Sequence, residues 1–200
     1  MLSGTELIFA LLIVSVGALV LGTVSFGFGL SVTPVLLLFL DAKPTVVVVN
    51  CLTGLLLAMV LVQTWRHLNL RVSGGLIVGG LAATPIGVLA LNSADPGTLK
   101  IIIAMVILIL GLLSLANIRL PFAQRRLAGP AFGFATSLAV TSISIGGPLA
   151  AIYAIAQRWD PQAVRASLAL LFLTANGVAF ALYSVTGLVD RNILANIGVL

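Results

Sequence analysis

Two stretches of this chain are built to avoid water yet are broken in the middle by glycine and proline. Between Glu6 and Asp41 lie 34 residues without a charged side chain, and between Arg126 and Arg158 lie another 31. The first carries Ser25-Phe-Gly-Phe-Gly-Leu-Ser-Val-Thr-Pro34 at its centre, the second Thr141-Ser-Ile-Ser-Ile-Gly-Gly-Pro148. A bilayer core of about 30 Å takes roughly 20 helical residues to cross. Each stretch is too long for one crossing, and its second arm is short for another. Helix breakers at that depth survive only where protein or an aqueous cavity surrounds the freed backbone groups. The expected shape is therefore a broken, re-entrant helical hairpin over 7–40 and again over 127–157.

The remaining gaps between charges set the other spans: Pro44–Trp65, Val72–Ala94, Ile101–Ile118 and Ala166–Val189. With 60% hydrophobic and 8% charged residues, the chain reads as an all-α, polytopic transmembrane bundle whose first partner is the lipid bilayer. The net charge of +5 does not point to nucleic acid, because the bases sit in short connections between spans. Arg66, His67 and Arg71 lie in one connection, and Arg119, Arg125 and Arg126 lie two spans later. The positive-inside rule makes that side cytoplasmic and puts Asp41, Lys43 and Asp95 outside. Arg158 and Arg165 then return the second hairpin to the inner face, close to Trp159, as Trp65 is to Arg66.

The chain also repeats. Pro34 and Pro148 follow the breaks, Pro44 and Pro161 open the next span, and Arg71 and Arg191 close it, at offsets of 114, 117 and 120. The first unit spans 1–118, a cytoplasmic connection 119–126, and the second unit 127–200. A hairpin plus three spans is an odd number of crossings, so the second unit is expected to be inverted. By that symmetry roughly 40 further residues, about two spans, would complete the second unit.

Paired interruptions at matched places of an inverted repeat mark transporter sites, because helix starts there aim unpaired N–H groups and a positive dipole end at the ligand. Thr33 as N-cap with Pro34 at the first position, and Gly147 as N-cap with Pro148, are the expected starts. Helix starts bind anions without a buried cation. The candidate site residues are Gly27, Gly29, Ser31, Thr33, Pro34, Asn50, Thr141, Ser142, Ser144, Gly146, Gly147 and Pro148, the glycines for close approach and the hydroxyls as donors. The bland alternative is that these small residues only pack helices together. Ser167 is expected to match Asn50, and Asn176 reads as an interhelical hydrogen bond. Gly74, Gly75, Gly79 and Gly80 read as a close-packing face. A lone His67 and a lone Cys51 exclude bis-histidine haem ligation and an internal disulfide. No carboxylate falls within a span, and no phosphate loop or nucleophile turn is present, so neither a cofactor nor an enzyme activity is expected.

The glycine-rich break Gly27-Phe-Gly-Leu-Ser-Val-Thr-Pro34, ten residues before Pro44, and its echo Ser144-Ile-Gly-Gly-Pro148, thirteen before Pro161, resemble the sulfite exporter (TauE/SafE) family, also called toluene sulfonate uptake permeases. The resemblance implies secondary transport, mostly export, of sulfite, sulfonates or related small sulfur-containing anions across the bacterial inner membrane. A homo-oligomer is compatible with it. An anion channel and a non-transporting accessory subunit are the alternatives from other classes.

Overall fold

A computed structural model describes residues 4–115, 128–189 and 191–200. The connection carrying Arg119, Arg125 and Arg126 lies outside the described residues. Among those described, all regular structure is helical: α1 Gly4–Val24, α2 Phe28–Leu36, α3 Ala42–Thr64, α4 Leu70–Ser93, α5 Pro96–Leu115, α6 Gly129–Ile143, α7 Gly147–Ala156, α8 Pro161–Val185 and α9 Arg191–Val199, with a 3-10 turn at Trp65–His67. Four of the helical segments, Gly4–Val24, Ala42–His67, Ser73–Ser93 and Pro161–Val185, are long and apolar enough to cross a bilayer. Within α3 the β-branched run Val46–Val49 is completely buried. Such a run favours strand in water, but in lipid a helix alone closes all its backbone bonds within the segment.

The charges that delimit the spans act as helix caps. Asp95 accepts hydrogen bonds from the N–H groups of Gly97 and Thr98, Asp160 from Gln162, and Asn69 from Arg71. Asp41 takes the same position before α3 in extended backbone, without a side-chain cap bond. The spans therefore start earlier than charge gaps alone suggest: α3 at Ala42, α4 at Leu70 and α8 at Pro161, because a cap belongs to the helix it starts.

Each long uncharged stretch is two helices folded back on one another. α2 returns along α1, so that a Cβ on Gly17 would sit 2.7 Å from Val32 and 3.0 Å from Phe28. α7 returns along α6, stacking Tyr153 on Phe132 at 5.4 Å between ring centroids. The Thr33–Pro34 start is not observed. α2 begins at Phe28 with Gly27 as its N-cap, and Pro34 lies inside the helix. Gly27 has φ 94°, a backbone open to glycine, and that conformation places the start six residues before the proline. α7 begins at Gly147 rather than Pro148, with Gly146 as its cap.

The repeat is sharper in three dimensions than in its prolines. Ser25 and Ser144, Gly27 and Gly146, and Asp41 and Asp160 are all separated by 119 positions. Ser25 and Ser144 have φ 65° and 61°, and each N–H reaches back to close its hairpin's first arm, to Leu21 O at 2.7 Å and to Val140 O at 2.8 Å. In this register Asn50 matches Ala169, not Ser167. The equivalent helices α3 and α8 pack together and run antiparallel: Asn50, early in α3, meets Tyr183, late in α8, while Gly54 faces Asn176 nearer the middle of both. Antiparallel equivalents are what inversion of one unit produces. Lys43 Nζ donates to Asn92 O at 2.6 Å, which puts Asp41, Lys43 and the Asn92–Gly97 turn at one end of the bundle.

α4 and α6 form the closest helix pair. A Cβ on Gly75 would lie 3.2 Å from Pro130 and one on Gly80 2.6 Å from Ser137 Oγ, while on Gly79 and Gly87 it would collide with Pro130 O and Thr141 Oγ1. The expected close-packing face is thus observed at Gly75, Gly79 and Gly80, whereas Gly74 meets nothing.

Candidate functional site

The two breaks meet. A Cβ on Gly29 would collide with the carbonyl oxygen of Ser144, and one on Gly147 would come within 2.8 Å of Phe26 Cβ. Between them lies a cavity of about 30 Å³, with room for a water or two. Its walls are Leu21, Ser25, Phe26, Gly27, Phe28 and Gly29 from the first hairpin, Val140, Ser144 and Gly147 from the second, Asn50 and Thr53 from α3 and Phe172 from α8.

Both second arms begin at this cavity. Neither start carries a side-chain cap. The first turn of α2 closes with Ser31 N–H on Gly27 O at 3.1 Å, which leaves the N–H groups of Phe28, Gly29 and Leu30 ahead of it. In α7 the first such bond is Leu149 N–H on Gly146 O at 3.1 Å, with Gly147 ahead of it. One hydroxyl at the cavity, Ser25 Oγ, is completely buried and has no hydrogen-bond partner among the described residues.

A broken helix also brings a negative end to the same place, because the first arm finishes where the second starts. Side chains occupy those carbonyls. Arg165 on α8 donates from Nη2 to Gly22 O at 2.7 Å, near the end of α1. At the end of α6, Asn50 Nδ2 donates to Val140 O at 3.0 Å, and Tyr183 Oη donates to Thr141 O at 2.5 Å. Asn50 Nδ2 also donates to Tyr183 Oη at 2.9 Å, so the two caps form one buried chain. What remains open at the cavity is the donor side of each break. Three phenyl rings complete the wall, so the site pairs neutral donors with an apolar lining.

Of the sequence candidates, Gly27, Gly29, Asn50, Ser144 and Gly147 line the cavity. The others lie behind it. Ser31 Oγ is bonded to Gly27 O, Thr141 Oγ1 to Ser137 O and Ser142 Oγ to Leu138 O, each one turn back on its own helix. Thr33 Oγ1 is buried without a partner, and Gly146 packs against Thr136 and Val140. Pro34 and Pro148 belong to the second arms without lining the cavity. Asn176 is buried beside Gly54 with neither side-chain atom bonded among the described residues, so the interhelical bond expected of it is not made.

Sequence reasoning did not single out Ser25, Phe26, Phe28, Thr53, Phe172, Arg165 or Tyr183 for the site. Ser25 could have been found, since Ser-x-Gly recurs at 25–27 and 144–146. Arg165 reads as a loop charge in the sequence, but from the first turns of α8 its guanidinium reaches the Gly22 carbonyl near the end of α1.

The sequence model of one family, described as sulfite exporter TauE/SafE, matches residues 9–200. No curated protein and no solved structure matches. The chain belongs to the sulfite exporter TauE/SafE family.

Proposed function

We propose that this member of the sulfite exporter TauE/SafE family is a secondary transporter that holds a small sulfur oxyanion, sulfite or a sulfonate, between its two hairpin tips. The observation that carries the reading is the pairing of two uncapped helix starts at one cavity with an unpartnered buried hydroxyl, Ser25 Oγ. The anion's oxygens take the first-turn N–H groups of α2 and α7, and the phenyl walls exclude water from the rest of it. Arg165, Asn50 and Tyr183 serve by occupying the carbonyls that would otherwise repel the anion. Access alternates as the inverted units exchange conformations. The Arg66 and Arg158 end faces the cytoplasm of the bacterial inner membrane, and export is the working direction.

Flux of labelled sulfite and of a labelled sulfonate into proteoliposomes tests the proposal. Saturable flux is expected, with Ser25→Ala raising the half-saturation concentration about tenfold, the loss of one hydrogen bond to a charged group. Gly147→Leu, which drives a side chain into Phe26, should abolish flux. Flux that never saturates identifies a channel, and no flux from correctly folded protein identifies an accessory subunit; either result overturns the transporter reading.

A further inference from the structure

The two tips share a backbone but differ in one hydrogen bond. Ser144 Oγ donates to the carbonyl of Val46 at 3.1 Å, tying the second tip to the start of α3. The repeat register maps Ser144 onto Ser25 and Val46 onto Arg165. The equivalent bond would therefore run from Ser25 Oγ to the backbone carbonyl of Arg165, at the start of α8. It is not made, and Ser25 Oγ is buried with no partner among the described residues. Both serines hold the same left-handed conformation and the same N–H bond to their own hairpins, so only the hydroxyls differ. The first tip already lies beside α8, because Gly22, one turn before Ser25, accepts from the Arg165 guanidinium. A helical carbonyl has a second lone pair to give, as Val46 shows.

We propose that these two bonds are alternatives, made one at a time. Ser144–Val46 fastens the conformation seen here, and Ser25–Arg165 carbonyl fastens the opposite-facing one. Exchange of conformations between inverted units turns every contact into its mate. It therefore trades one serine bond for the other at little net cost, and a buried hydroxyl without a partner is the mark of the bond not being made. Whichever serine is released is left lining the cavity. The inference rests on the transporter reading for its meaning, but the conformational exchange can be measured without any anion.

Ser25 and Ser144 are positioning residues in this scheme, and their substitutions must act in opposite senses. Thr53 lines the cavity and its hydroxyl bonds only within its own helix, to Val49 O, so Thr53→Cys in a Cys51→Ala background reports access. A membrane-impermeant maleimide is applied to each face of sealed, substrate-free vesicles, and the ratio of the two labelling rates is read. Ser144→Ala should shift that ratio about fivefold toward one face and Ser25→Ala about fivefold toward the other, one net hydrogen bond each. The double substitution should restore the starting ratio. Shifts in the same direction, no shift, or a double variant that fails to cancel overturn the exchange. Opposite shifts in a protein whose unsubstituted form moves no sulfite or sulfonate would leave the exchange standing and sink the anion reading alone.

Discussion

The first and second hairpins share one backbone solution but are stabilised by different chemistry. The first arm of each ends at a left-handed serine, and a glycine caps the start of each return helix. The end of α1 is then occupied by a cation, Arg165, whereas the end of α6 is occupied by two neutral groups, Asn50 and Tyr183. Their surroundings differ too. α6 is packed along its length against the glycines of α4, while α1 turns Ile8, Phe9, Leu12, Val16 and Leu19 outward, each more than half exposed, as a lipid-facing helix does. The two breaks share one shape and differ in what supports it.

The largest effects should come where the two tips touch. Gly29→Val forces a branched side chain into the Ser144 carbonyl, and backbone cannot move aside as a side chain can. A loss of about 3 kcal/mol or more is expected, read as a fall in the thermal unfolding midpoint in detergent. Gly22→Ala, one turn before the first break, meets nothing within 4 Å and should be nearly silent. If both variants behave alike, the tips are not in contact.

The caps come next. Arg165→Met removes a charged hydrogen bond and should cost about 2–3 kcal/mol; Tyr183→Phe removes neutral bonds and should cost about 1–2. Equal costs would erase the contrast between a cationic and a neutral cap. In transport, Arg165→Met should also weaken anion affinity beyond its effect on folding, since the negative end of α1 near the cavity then loses the cation that occupies its Gly22 carbonyl. Smallest of all should be Ser142→Ala. Its hydroxyl is bonded one turn back on its own helix, so stability should change by less than about 0.5 kcal/mol and flux should hold. A large flux defect there would extend the site behind the cavity wall.

Much of this architecture can be read from the residues, for identifiable reasons. Hydrocarbon admits few backbone solutions, so uncharged length and charge position lead to the helices almost directly, as with α3 and Asp41 or α8 and Asp160. The hairpins follow because 34 uncharged, mostly apolar residues with glycines at the centre have few other arrangements. What stays hidden is long-range. The start of α2 depends on φ at Gly27, which no proline rule reports. The roles of Arg165 and Tyr183 depend on where α8 lets them reach, Gly22 of the first hairpin and Thr141 of the second, and nothing local to either residue encodes that. The proline offsets drift because the prolines are not equivalent positions: Pro34 lies inside α2 and Pro148 in the first turn of α7, whereas Ser25 and Ser144 close both hairpins at the same offset.

The glycine seam between α4 and α6 bears on how such a molecule moves. α4 lies in the first of the two proposed units and α6 in the second, yet at Gly79 and Gly133 each comes against backbone of the other, with Pro130, Ser137 and Thr141 side chains filling the rest of the seam. Surfaces packed that closely resist sliding, so under the proposed transport mechanism these two helices are expected to travel as one piece. The boundary between the two units would therefore not be the line along which the protein divides in the proposed transport cycle. In the proposed cycle one moving body would draw a helix from each unit, with its hinges where that body meets the tips.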